Sequence, residues 1–198
     1  MAPAVVYGNS LGAVILTGLA LRHPQVLRGA IVHEPPLGGL SAVSAAPRAA
    51  IAAVIQEGMA RGGPAAAMEA FLRWMTSDER FEALPITLRD RVLGNAEVFL
   101  GLEMPQLAGY QPTPEQLAAV AVPCIVGAGT QDRDPQSRHG WFYDVARVLA
   151  GQLGADFVEM PGSHVPQGTH PEELAAVVRD LGRRFEGEVA GAGHGRST

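Results

Sequence analysis

The feature that most constrains this fold is a strand–turn–helix–strand unit near the start of the 198-residue sequence. Residues 3–7 form a short apolar run, residues 13–22 form an apolar helical segment that stops before Pro24, and residues 28–33 form a second apolar run. Continuous apolar strands joined by a helix are typical of a parallel sheet that is covered on both faces. We therefore predict an α/β fold with helices on both faces of a parallel sheet.

The turn between the first strand and the helix has a spacing that suits a nucleophile. It consists of Gly8, Asn9, Ser10, Leu11 and Gly12, which match the pattern G-x-S-x-G. Small residues permit a sharp turn that places the serine hydroxyl above the end of the strand. The same turn points a helix N-terminus at developing negative charge, so the backbone N–H of Leu11 is the expected oxyanion donor.

A nucleophilic serine needs a base, and the base needs a carboxylate to orient it. The best candidate for the base is His164, which lies in a loop after a predicted strand far along the chain from Ser10. We favour Asp132 as the acid because it directly follows another apolar strand. Asp134, two residues later, and Glu34, which follows the second strand, remain alternative acids.

The order Ser, Asp, His, with each residue after a separate strand, resembles that of α/β-hydrolases. VVYGNSLGAVILTGLALRHPQVLRGAIVHEPP is similar to the nucleophile strand, elbow, helix and next strand of an α/β-hydrolase fold-1 protein. IVGAGTQD resembles the acid strand and turn, and FVEMPGSH resembles the last strand and the histidine loop. The resemblance covers about residues 3–36 and 122–185. It implies a serine hydrolase of ester-like or related small acyl substrates that needs no cofactor.

Strand signals and helical signals divide the chain into parts. Residues 1–38 and 119–186 are predicted to form the α/β core, and residues 39–118 carry helical patterns without strands. The resemblance implies that this helical insertion is a cap that shapes the substrate pocket. Residues 187–198 are predicted to be a disordered tail.

The main departure from the family is the position of the elbow strand, which is normally preceded by four strands. We therefore expect a truncated sheet that lacks one oxyanion donor and exposes the elbow strand as an edge, through which copies of the chain self-associate. Two other functions stay open. One is a carbon–carbon bond hydrolase of the same fold, whose elbow is often similar to GNSLG, and the other is a non-catalytic fragment.

Composition excludes several other classes of protein. The net charge is −5 and the arginines are scattered, which argues against a nucleic-acid partner. We predict no metal site, because no His/Cys cluster has ligand spacing. The single cysteine, the lack of a basic leader and apolar runs too short for a bilayer predict a cytoplasmic protein without membrane contact. The expected partner is a small-molecule substrate.

Overall fold

The computed structural model describes the backbone of residues 2–191 and the side chains of residues 2–186. Within those residues, four strands form one parallel sheet in the order β1-β2-β3-β4. The strands are Ala4–Asn9 (β1), Leu27–His33 (β2), Cys124–Gly129 (β3) and Asp156–Met160 (β4). These are the predicted strands, with bounds that differ by one or two residues, and the α/β prediction is confirmed.

Helices fill most of the remaining described chain. They are Leu11–Arg22 (α1), Ala45–Met75 (α2), Asp78–Glu82 (α3), Ile86–Gly94 (α4), Ala96–Val98 (α5), Met104–Gly109 (α6), Pro114–Ala118 (α7), Gly140–Leu153 (α8) and Pro171–Gly191 (α9). A π-helical stretch, Phe99–Glu103, precedes α6. Gly62 and Gly63 have non-helical backbone angles inside α2, so a kink divides that helix into two segments.

The two faces of the sheet are covered by different helices. On one face, Ile31 and Met160 are buried in a cluster with Leu181 and Phe185 of α9. Side chains alternate along a strand, so the neighbouring residues of each strand face the opposite side, where α1 contacts β1 and β2 and α8 contacts β3. A side chain at Gly29 would overlap the ring of Phe185, with an added Cβ only 2.4 Å from it. The glycine therefore lets α9 approach the sheet closely.

Backbone contacts divide the chain into two compact units. The first comprises the stretch up to Ser41 and the stretch from Gln111 onward, and it contains the sheet together with α1, α7, α8 and α9. The second comprises Ala42–Tyr110 and contains helices α2 to α6. The predicted helical insertion, residues 39–118, contains this second unit and also includes α7.

The C-terminal prediction differs from the structure in one respect. Residues 187–191 were expected to be disordered, but α9 continues through them to Gly191. Residues 192–198 of the predicted tail lie outside the described residues. The helix therefore extends past Phe185, which packs on the sheet.

Strand β1 is an edge of the sheet in the described part of the chain, because it pairs with β2 alone. Val5, Val6 and Tyr7 are apolar yet only half buried, whereas most of β2 is buried. Ile15 of α1 is 60% exposed. The expected exposed edge is thus present within the described residues. In this same part of the chain, each helix is too short or too polar to cross a bilayer.

Candidate active site

The turn after β1 presents Ser10 at the carboxyl end of the sheet. Ser10 has φ 54° and ψ −125°, a conformation that L-residues rarely adopt. Two contacts hold it: its N–H donates to the His33 carbonyl at 2.9 Å, and its carbonyl accepts from Ala13 N–H at 2.9 Å. Backbone strain of about 1–3 kcal/mol persists only where neighbouring structure imposes it, which is common at functional sites.

The loop after β4 brings His164 onto this serine. The Nε2 atom of His164 lies 2.9 Å from Ser10 Oγ, although the two residues are 154 positions apart. The ring is 1% exposed and stacks on Phe142 of α8, with 3.7 Å between ring centroids. The structure therefore joins the predicted nucleophile and the predicted base in hydrogen-bonding geometry.

The carboxylate that holds the histidine belongs to Glu34, which the sequence analysis kept as an alternative. Glu34 Oε2 lies 2.7 Å from His164 Nδ1, and Glu34 Oε1 accepts the Gly129 N–H at 2.7 Å. Glu34 is fully buried and has φ 45°, so it shares an unusual backbone conformation with Ser10. Its N–H donates to the Gly127 carbonyl at 3.1 Å, which fixes the turn against β3.

The favoured acid, Asp132, lies beside this group and does not occupy the contact with His164 Nδ1. It is 3% exposed, and its carboxylate accepts the hydroxyl of Ser163, with distances of 2.9 and 2.8 Å to its two oxygens. The physical reason is the strand order: β2 lies between β1 and β3, so the residue after β2 is one strand nearer to Ser10. The expectation that Asp132 binds the ring is therefore corrected by this geometry.

The third candidate, Asp134, lies outside the cluster. Its side chain is exposed and accepts the backbone N–H of Gln136 at 2.9 Å, as an ordinary turn residue does. Asp134 is thus a local capping residue of its loop.

Burial dominates the electrostatics of the cluster. It lowers the pKa of His164, whereas an ionised Glu34 at 2.7 Å favours the charged ring. Burial also raises the pKa of Glu34, against the opposing effect of the hydrogen bond from Gly129. A ring that is neutral at rest can accept a proton, and a carboxylate beside it stabilises the resulting cation.

Residues of the predicted elbow play different parts in the structure. Leu11 is the first residue of α1, so its N–H has no acceptor within the helix and is available to an oxyanion. The Asn9 side chain donates to the His164 carbonyl at 2.9 Å and ties the two loops together. Gly8 is required sterically, because an added Cβ would lie 2.6 Å from the Gly12 carbonyl oxygen. Gly12 itself has open space around it.

The described residues contain no group of three or more His, Cys, Asp or Glu that could hold a metal ion. His33, next to Glu34, is buried and lies 2.7 Å from the Tyr7 hydroxyl through its Nδ1. Tyr7 and His33 therefore form a hydrogen-bonded pair.

The model of the alpha/beta hydrolase family matches residues 1–177. The chain belongs to that family. A relative from Bacillus subtilis (strain 168), the uncharacterized hydrolase YraK, is 30% identical over 182 residues. That match covers 90% of this chain, which spans only 63% of the length of YraK.

Solved structures of low sequence identity share the alpha/beta hydrolase fold with this chain. The N-acyl homoserine lactone degrading enzyme Est816 has a TM-score of 0.60 at 18% identity, over 91% of this chain and 68% of its own. A thermophilic esterase from Thermogutta terrifontis has a TM-score of 0.60 at 20% identity, over 93% of this chain and 66% of its own. These likenesses show the fold alone.

One signal in the sequence favours Glu34 as the acid. A parallel βαβ unit usually places its two strands side by side, so the residue after β2 lies next to the residue after β1. The stacking of Phe142 and the tether from Asn9 carried no such signal, because both depend on how distant loops pack.

Proposed function

We propose that this chain carries the catalytic machinery of a serine hydrolase that cleaves ester-like or related small acyl substrates through Ser10, His164 and Glu34. One observation carries the proposal: Ser10 Oγ, both ring nitrogens of His164 and the Glu34 carboxylate form a continuous hydrogen-bonded series of 2.9 and 2.7 Å. Nucleophile, base and orienting acid in that order are what covalent acyl transfer requires.

In this proposal, the first half of the reaction forms an acyl-enzyme. Ser10 Oγ attacks the substrate carbonyl while His164 Nε2 takes its proton, and the carbonyl electron pair moves onto the oxygen. Leu11 N–H donates to that oxyanion, and the Glu34 carboxylate stabilises the imidazolium at the distance of 2.7 Å. Collapse of the intermediate expels the leaving group, which takes the proton from His164 Nε2.

The second half repeats these steps with water as the nucleophile. His164 accepts a proton from the water as it attacks the acyl carbon, and then returns a proton to Ser10 Oγ as the acid product leaves. No step needs a redox or metal group. The printed names of the structural relatives include an esterase and a lactone-degrading enzyme, so simple esters and lactones are the reasonable first probes.

The experiment is hydrolysis of p-nitrophenyl butyrate by the 198-residue chain and by two variants, Ser10→Ala and His164→Gln. Glutamine replaces the ring because His164 is buried and an alanine there would leave a cavity. We expect both variants to lose turnover while keeping the melting temperature of the parent within a few degrees. A parent without turnover, or a Ser10→Ala variant that retains it, would contradict the proposal.

The proposal also includes self-association through β1. The strand carries no charged residue, and its half-buried apolar side chains leave the backbone edge free for pairing within the described part of the chain. Two copies related by a two-fold axis would pair their β1 strands antiparallel. Sedimentation velocity tests this directly, since we expect a concentration-dependent dimer, and a monomer at all concentrations would contradict it.

A further inference from the structure

A second set of polar side chains lies beside the proposed triad. Asp132 lies beside Glu34, Ser163 contacts both oxygens of Asp132, and His139 Nδ1 lies 3.1 Å from Ser163 Oγ. None of these side chains is needed to hold Ser10. We call Asp132, Ser163 and His139 the inner cluster.

Counting donors fixes the direction of the hydrogen bonds in the inner cluster. The Ser163 hydroxyl has one proton, and an aspartate carboxyl at 2.8–2.9 Å is its acceptor. The serine oxygen then accepts from His139 Nδ1, which carries the ring proton. Each donor therefore points toward Asp132.

The contact between Asp132 and Glu34 requires a proton. The charge of Glu34 acts on Asp132, and both side chains are almost completely buried. Ionised carboxylates accept hydrogen bonds but cannot donate them, so the two side chains share a hydrogen bond only when one of them is protonated. Two like charges this close in a buried site would otherwise repel strongly.

The surroundings indicate which carboxyl holds the proton. Glu34 already accepts from Gly129 N–H and from the ring of His164, each at 2.7 Å, and both contacts favour its charged form. Burial first and the negative charge of Glu34 second raise the pKa of Asp132 to about 7, and burial raises the pKa of Glu34 to about 7 as well, so the contacts decide between them. The proton therefore belongs on Asp132, with Glu34 as acceptor.

We propose that Asp132 is a positioning residue that holds the single proton shared by two buried carboxyls and so directs an ionised Glu34 at His164. This inference rests on the proposed function, because it assigns a part to Glu34 in that mechanism. Asp132 would then act as a neutral hydrogen-bond donor to Glu34. The residue that the sequence favours as the acid would thus support Glu34, the carboxylate that contacts His164.

Several other titratable side chains lie near the two carboxyls. His164 faces Glu34, and His139 Nδ1 lies 3.9 Å from Asp132 Oδ1. Tyr7, on β1, is also close to Glu34. Burial first and the negative charge of Glu34 second raise the pKa of its phenol. Arg133, next to Asp132 in sequence, points away and pairs with Glu159. Among these groups, His139 would pair with an ionised Asp132 only if its ring were protonated.

The test is a carbon-13 NMR titration of the whole chain labelled at the aspartate carboxyl carbons. The Asp132 resonance is assigned as the one that Asp132→Asn removes, and the exposed Asp134→Asn serves as the matched control. We expect Asp132 to titrate above pH 6, compared with about 3.9 for a free aspartate. Because Glu34→Gln removes the neighbouring charge, we expect this variant to shift the Asp132 midpoint to lower pH.

Turnover of two Asp132 variants provides a second readout. Asparagine keeps a donor for Glu34 and an acceptor for Ser163, so Asp132→Asn should retain most of kcat, whereas Asp132→Ala should lose about tenfold, the effect of one lost hydrogen bond. Equal losses in both variants would overturn the proposal.

Two further outcomes separate this inference from the proposed function. A midpoint near pH 4 in the parent chain overturns the inference whether or not the variants fold, and so does a midpoint that a folded Glu34→Gln variant leaves unchanged. The Asp132 midpoint could instead be high and fall in Glu34→Gln while Ser10→Ala keeps full turnover. That result would support the shared proton and contradict the catalytic role of Ser10.

Discussion

Replacing Glu34 with glutamine tests which carboxylate serves His164. The substitution keeps the shape of the side chain and an oxygen for the Gly129 N–H, so folding should survive. It removes the charge that faces the imidazolium formed during Ser10 attack. With charge centres about 4 Å apart and an effective dielectric constant near 20, that interaction is worth roughly 4 kcal/mol, which corresponds to about 10³-fold in rate.

A change in the tautomer of His164 would lower the rate further. The glutamine amide can donate to His164 Nδ1, which would place the ring proton on Nε2 and leave no acceptor for the Ser10 hydroxyl. We therefore expect kcat for p-nitrophenyl butyrate to fall by at least about 10³-fold. The measurement is steady-state turnover beside thermal melting, with the exposed Glu57→Gln as the matched control. A Glu34→Gln enzyme within tenfold of the parent would refute the reasoning, most clearly if Asp132→Asn lost activity instead.

Two further predictions concern the elbow. Gly8→Ala should destabilise the fold by about 1–3 kcal/mol, because the new Cβ would meet the Gly12 backbone, while Gly12→Ala should leave the melting temperature equal or higher, since nothing lies within 4 Å. Chemical denaturation of the pair measures this, and equal destabilisation would contradict it. Asn9→Ala should lower kcat several-fold, because the loop of His164 loses its 2.9 Å tether. Gln167→Ala, whose exposed amide only contacts Asn9 at 3.2 Å, is its control, and an effect as large there would count against this explanation.

Local patterns accounted for most of what the sequence predicted well. The strands and α1 were visible because apolar runs, helical periodicity and turn residues lie within short windows. Ser10 and His164 could be paired since parallel strands end at one edge of a sheet, where the following loops meet. The structure brings these two side chains within 2.9 Å.

The choice of acid could not be settled in the same way. Asp132 and Glu34 both follow buried strands, and both are buried in the same cluster. What separates them is a left-handed backbone conformation at Glu34 and the hydrogen bond from Ser163 that holds Asp132. Neither feature has a local sequence signal, because each depends on loops that are close only after the sheet has formed.

The proposed mechanism depends above all on Ser10 as a nucleophile that His164 activates. Mass spectrometry of the chain after reaction with an active-site-directed organophosphonate tests this directly. We expect one adduct, located on Ser10, absent from Ser10→Ala and greatly slowed in His164→Gln. An adduct on a different serine, or equal labelling of Ser10→Ala, would contradict it.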